Sequence, residues 1–230
     1  MFRLVTLFIT LCCANAAYAA GMIDDPVLTM IKIDQLEVGD DDNSAWDAQA
    51  WLGKDLSKLW FKTEGELNNS DVEKAEVQLL YSRAIAPYWD AQIGWRHDIK
   101  PEPNRNWLAL GVQGLAPYFF ETDVALFVGE DGNINLRGQL EYELMLSQKW
   151  VLSPEVEVNI FSKNDAGVGI GSGLSEISAG LRLRYEIKRE FAPYIGVEWG
   201  KRFGQTADFA QQEGESDSSV SWLAGLRFWF

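Results

Sequence analysis

A single histidine, His97, stands beside Asp98 at the end of an alternating segment, just ahead of a polar stretch that runs to Asn106. An imidazole next to a carboxylate can move a proton or bind a borderline metal ion. Alone it makes a weak metal centre, because catalytic zinc takes about three protein ligands and structural zinc about four. A Ser-His-Asn hydrolase would have to use His97, yet no serine is singled out to serve it. An aspartate-based peptidase could draw on His97, Asp98 and the run Asp40-Asp41-Asp42, although acidic loops are commonly solvated tips. The soft donors are thioethers. Met22 precedes the first alternating segment, and strand parity turns Met30 and Met145 to the polar face. Thioethers suit Cu(I), while imidazole and carboxylate suit Cu(II); scattered methionines are more often packing. Catalysis is therefore not expected, and a rim hydrolase ranks third among the functional readings.

The elements that must position these residues are strands, because apolar residues recur with period two almost everywhere. Ile177, Ala179, Leu181, Leu183, Tyr185 and Ile187 form one face of a segment whose other face is Ser178, Gly180, Arg182, Arg184, Glu186 and Lys188. Ile134, Leu136, Leu140, Tyr142 and Leu144 oppose Asn135, Arg137, Gln139, Glu141 and Glu143 in the same way. A soluble sandwich also alternates, so the connections decide. Tight links at Gly53 to Lys58, Ala86-Pro87, Ala116-Pro117, Ser147 to Lys149 and Lys188 to Glu190 interleave with longer polar loops. These loops are Gly39 to Ser44, Asn68 to Asp71, Asp98 to Asn106, Gly129 to Asn133, Ser162 to Leu174 and Gly204 to Ser219. Short turns on one side and long loops on the other are the habit of outer-membrane barrels. The connections predict an all-β, antiparallel transmembrane β-barrel of about 12 strands, with ten as the fallback. Aromatic residues near the strand ends, Trp46, Trp60, Trp89, Trp107, Tyr118, Phe119, Phe120, Trp150, Tyr194, Trp199, Phe203 and Trp222, fit two interfacial girdles. The last segment alternates strictly through Trp222, Ala224, Leu226, Phe228 and Phe230, and a closing Phe resembles the insertion signal of such barrels.

Arg3, the apolar run Leu4 to Cys13 and the small residues Ala17 and Ala19 read as a secretory signal peptide over residues 1–19. Cleavage after Ala19 removes Cys12 and Cys13, so the mature chain is expected to lack disulfides and thiolate metal sites. The whole chain carries a net charge of −14. That acidity excludes nucleic acid as a partner and suits cations. No further apolar run reaches the roughly 18 residues of a transmembrane helix.

Parity places a mixed inventory inside the barrel. Its carboxylates are Asp47, Glu64, Glu66, Glu76, Asp90, Glu121, Asp123, Glu141, Glu143, Glu155, Glu157, Glu186 and Glu198, and its bases are Lys62, Arg96, Arg137, Arg182 and Arg184. In a narrow barrel most of these must pair as a salt-bridged plug, and the acid excess leaves some carboxylates for cations. Ala-Pro-Tyr recurs at Ala86 to Tyr88, Ala116 to Tyr118 and Ala192 to Tyr194. Each copy is expected at a periplasmic turn, with Pro opening a strand.

Longer motifs add a resemblance. Ile33-Asp34-Gln35-Leu36-Glu37, Ala45 to Trp51, Leu59 to Glu66, Leu79 to Pro87, Arg96-His97-Asp98, Gly111 to Phe120, Gly171 to Ser175, Leu181 to Ile187 and Phe191 to Trp199 occur in one order across the chain. Together they resemble the copper-resistance protein B family. The resemblance implies a copper-binding protein of the cell outer membrane. It would contribute to copper resistance and homeostasis without catalysis, alongside periplasmic copper-resistance proteins and in contact with outer-membrane lipid. Family members often carry a Met- and His-rich segment ahead of the barrel. Residues 20–27 form a short periplasmic segment here and 28–230 the barrel domain. The positions carried over as candidates to touch copper are Met22, Asp24, Asp25, Glu64, Glu66, His97 and Asp98. The runner-up is a passive cation-preferring channel.

Overall fold

The computed structural model describes residues 25–40, 43–69 and 71–230. Twelve antiparallel strands close on themselves. They are β1 (Leu28–Gly39), β2 (Asn43–Lys54), β3 (Ser57–Asn68), β4 (Asp71–Ala86), β5 (Trp89–Lys100), β6 (Arg105–Ala116) and β7 (Phe120–Gly129). β8 (Ile134–Glu141) is interrupted and resumes at Leu144–Met145; β9 (Trp150–Phe161), β10 (Gly173–Tyr185), β11 (Phe191–Arg202) and β12 (Ser218–Trp229) follow. Each strand pairs with its chain neighbours, and β12 returns to β1 through pairs such as Ile33 with Phe228 and Val38 with Ala224. Closure leaves no unpaired edge, which is the condition for crossing a bilayer with strands. The expected short turns and longer loops all join the strands they were assigned to.

The outer face is apolar because one side of every strand meets lipid. Phe61, Leu79, Leu108, Ile195 and Trp222 lie on it, and Trp222 is 69% exposed. In water such a surface would aggregate; around a barrel it is the hydrocarbon-facing band.

One of the register shifts changes which residues face the lumen. A β-bulge falls in β1, where the register against β2 shifts between Ile33 and Gln35 and that against β12 between Ile33 and Glu37. The bulge turns Asp34 and Gln35 to the lumen together, so the inward set continues as Glu37 rather than Leu36. The girdle reading also needs correction at Trp60, Trp107 and Tyr194, which are buried inside the barrel. They share strand parity with the charged inward residues, and a narrow lumen needs large side chains to fill it. The third Ala-Pro-Tyr copy likewise lies within β11 instead of at a turn.

On the outer side the loops fold together. Helix α1 (Gly204–Glu213) packs on the β9–β10 connection, where Gly171 N–H donates to Thr206 Oγ1 at 2.8 Å. A Cβ on Gly171 would stand 2.5 Å from Thr206 N, so only glycine permits the approach. Arg105 reaches Asp165 at 2.6 Å and ties the β5–β6 and β9–β10 loops together.

Candidate functional site

The inner face of the strands carries three linked groups of charges. In the first, Arg96 pairs with Glu76 (2.7 Å) and Asp98 (2.6 Å), and Arg137 pairs with Glu76 (2.9 Å), Glu64 (2.7 Å) and Glu157 (3.7 Å). Both guanidiniums lie over the ring of Phe127, at 4.6 and 5.5 Å from its centroid, and Phe127 is only 1% exposed. Trp107 and Phe161 complete this aromatic block, with Ile170 of the β9–β10 loop packed on it. In the second group Arg182 binds Glu37 (2.6 Å), Glu155 (2.8 Å) and Glu198 (3.1 Å), while the Tyr194 hydroxyl donates to Glu37 at 2.9 Å. In the third, Arg184 and Arg227 share Glu141 and Glu143, and Arg227 and Lys32 share Asp34. Lys62 crosses the lumen from β3 to Asp123 on β7 at 2.8 Å.

Each of these arginines serves two or three carboxylates. Sharing of this kind occupies most of the guanidinium donors, Arg137 Nε excepted, but leaves negative charge in excess. Asp47 makes no ion pair or hydrogen bond with any described residue, although it lines the central cavity. That cavity measures 360 Å³, and its walls include Asp47, Gln49, Lys62, Glu64, Gln113, Glu121, Gln139 and Glu155. None of its lining residues comes from an extracellular loop, whereas Gly114, Leu115, Glu121 and Thr122 carry it to the β6–β7 turn on the periplasmic side.

The sequence candidates do not gather in one place. Glu64 lines the cavity and accepts from Arg137 at 2.7 Å. Glu66 pairs with Lys74 at 3.0 Å, further toward the extracellular end. Asp98 turns inward and is fully engaged, accepting from Arg96 Nε (2.6 Å) and Trp107 Nε1 (2.7 Å). His97 turns the other way. Its ring stacks on the lipid-side Trp95 (5.4 Å between centroids), and Nδ1 lies 2.8 Å from Asn106 Oδ1. Adjacent residues of a strand face opposite sides, so His97 and Asp98 share a level but not a face. Asp25 pairs with Lys54 at 3.1 Å at the periplasmic rim. Met22 and Asp24 lie outside the described residues, as do Asp41 and Asp42 and the signal segment. Met30, opposite Trp51 in β2, packs against the buried apolar cluster that includes Trp60 and Leu80, and Met145 sits exposed at the β8–β9 turn. Among the described residues no group of three or more His, Cys, Asp or Glu side chains is arranged to hold a metal ion directly.

Lys32, Asp34, Glu37 and Arg227 were not anticipated from the sequence as lumen residues. The bulge hid Glu37 alone, because parity counted straight through it from Met30, Lys32 and Asp34 arrives at Leu36; Lys32 and Asp34 share the parity of Met30 and were legible. Arg227 was legible, since it is a lone charge between Leu226 and Phe228 in the closing strand.

A family model described as copper resistance protein B precursor matches residues 27–230. The chain is 45% identical over 210 residues to copper resistance protein B of Escherichia coli, covering 90% of this chain and 71% of that protein. It is 40% identical over 199 residues to a copper resistance protein B homolog of Pseudomonas syringae pv. tomato, covering 86% and 68%. Among solved structures, the NanC porin superposes with a TM-score of 0.56 at 12% identity, over 87% of this chain and 99% of that one. The KdgM porin gives 0.50 at 12% identity, over 86% and 98%. Those two likenesses show the outer-membrane barrel fold alone.

Proposed function

The chain belongs to the copper resistance protein B family, with a role in copper resistance at the outer membrane, and from that premise we propose that the barrel binds copper ions in its acidic lumen. The observation that carries this reading is the excess of carboxylates over bases on the inner face, with Asp47 uncommitted in a cavity large enough for an ion. A cavity enclosed by low-dielectric walls and lined by one sign of excess charge concentrates counter-ions. Copper is cargo in this account, a passenger rather than a resident cofactor, and the barrel does no chemistry on it.

Of the residues implied by the family resemblance, Glu64 lines the cavity while held by Arg137, and Glu66 flanks it toward the outside. Met22, Asp24 and Asp25 belong to a periplasmic approach that hands copper to the cavity, from periplasmic copper-resistance proteins where these are present. Asp98 serves the site by holding Arg96, and His97 marks the same level on the lipid side. A passive channel is the less favoured reading, because the Arg96–Phe127–Arg137 block fills the lumen on the extracellular side of the cavity.

Titration of the refolded barrel with Cu(II), with Cu(I) and with calcium as control tests the proposal. Saturable binding of copper in preference to calcium is expected. Equal, weak uptake of all three would overturn it.

A further inference from the structure

The cavity wall is unusual in which hydrogen-bonding atoms it leaves over. Gln35 and Gln139 donate their amide N–H groups to Glu155 (3.3 and 2.5 Å), Gln49 donates to Asp34 (2.5 Å), and Gln78 to Glu76 (2.6 Å). Gln92 donates to Gln113 Oε1 at 3.0 Å. A carboxylate accepts and cannot donate, so each glutamine beside one must turn its NH2 toward it. The Oε1 atoms of Gln35, Gln49, Gln78, Gln92 and Gln139 accept nothing from any described residue.

The cations on the wall are likewise held by its acceptors. Lys32 is on Asp34, Lys62 on Asp123 and Gln113, and Arg182 on three carboxylates. The wall thus keeps a set of unused amide lone pairs beside the uncommitted carboxylate of Asp47. Asp34 and Glu155, of like charge, and Lys62 and Lys32, of opposite charge, line the same cavity. A guest that satisfies such a wall must bring both positive charge and hydrogen-bond donors.

Building on the proposed copper reading, we propose that the cavity holds a divalent cation through its hydration shell, as hydrated Cu(II) in preference to Cu(I), with the Asp47 carboxylate facing it as countercharge. The water ligands of a cation are strong donors, and amide and carboxylate oxygens can accept from them without replacing them. Six waters at about 30 Å³ each occupy roughly 180 Å³, which fits within the 360 Å³ available. Direct coordination is disfavoured on two counts. The described residues offer no three-ligand group, and recruiting Glu64 or Glu155 would pull them from Arg137 or Arg182. The cavity lining holds no imidazole or thioether. Cu(I), which prefers soft donors, finds none on these walls.

Cobalt(III) hexaammine is the discriminating probe, because it presents N–H donors and positive charge but does not exchange its ligands. On the refolded full-length mature barrel, it is expected to displace Cu(II) competitively. Asp47→Asn is expected to weaken both by at least about tenfold, while Asp47→Glu restores most of the binding. Failure of the hexaammine to compete with bound copper, or unchanged affinity in Asp47→Asn, overturns the outer-sphere site. The competition needs only the wild-type barrel, so a variant that does not refold does not remove the test. The two readings fail separately: hexaammine binding without copper binding would sink the copper function and leave the cation site standing.

Discussion

Removing Arg182 isolates a buried carboxylate, and the consequence can be sized. Arg182 is the junction of β10 with β1, β9 and β11 through Glu37, Glu155 and Glu198. Its side chain is 8% exposed and that of Glu37 5%. Arg182→Ala leaves Glu37 with the Tyr194 hydroxyl as its one remaining partner among the described residues. Breaking a buried pair on one side costs about 3–5 kcal/mol, because the survivor stays charged and dry. Replacing both partners by apolar or neutral groups is far cheaper. The single variant should therefore lose about 3–5 kcal/mol, and Glu37→Gln with Arg182→Met should recover most of it. The assay is reversible urea unfolding in lipid vesicles, followed by tryptophan emission and by heat-modifiable migration on gels. A loss below about 1 kcal/mol, or a double variant as unstable as the two singles added together, would refute the view that the lumen charges form one coupled network.

Four further outcomes follow. Phe127→Ala should cost about 3–5 kcal/mol in the same unfolding assay, because a ring 1% exposed leaves a void between Arg96 and Arg137; it should also raise single-channel conductance above the low value expected for the wild type. Tyr194→Phe removes one hydrogen bond to a charged acceptor at 2.9 Å and should cost about 1.5–3 kcal/mol, with no change in cavity volume. His97→Ala should leave copper affinity unchanged within about twofold, since its ring lies against Trp95 on the lipid side; a tenfold loss, read by calorimetry, would return the histidine to the site. Arg105→Ala releases the tie to Asp165 and should speed proteolysis of the extracellular loops in intact cells while leaving barrel stability within about 1 kcal/mol.

The barrel was legible because lipid on one side and a polar lumen on the other write period two into every strand. The alternation of Ile177 to Lys188 and the spacing of turns located the strands to within about three residues. Parity also placed Glu64, Glu76, Arg96, Arg137, Arg182 and Arg184 correctly on the inner face. It failed where the backbone departs from two residues per repeat: the β1 bulge hid Glu37. Composition misled for Trp60, Trp107 and Tyr194, since aromatic residues serve both a girdle and a tightly filled lumen. The adjacency of His97 and Asp98 suggested one site, yet neighbours on a strand point apart. Which carboxylate stays unpaired could not be read from sequence, because Lys62 meets Asp123 across the barrel at a separation of 61 residues.

The most direct test of a copper-holding lumen is calorimetric titration of the refolded wild-type barrel and of Asp47→Asn with Cu(II), with calcium as reference. A saturable copper site in the wild type that weakens at least about tenfold in the variant, with calcium taken up more weakly by both, is the predicted result. Copper binding that is absent, or that matches calcium in affinity and ignores Asp47, would contradict it.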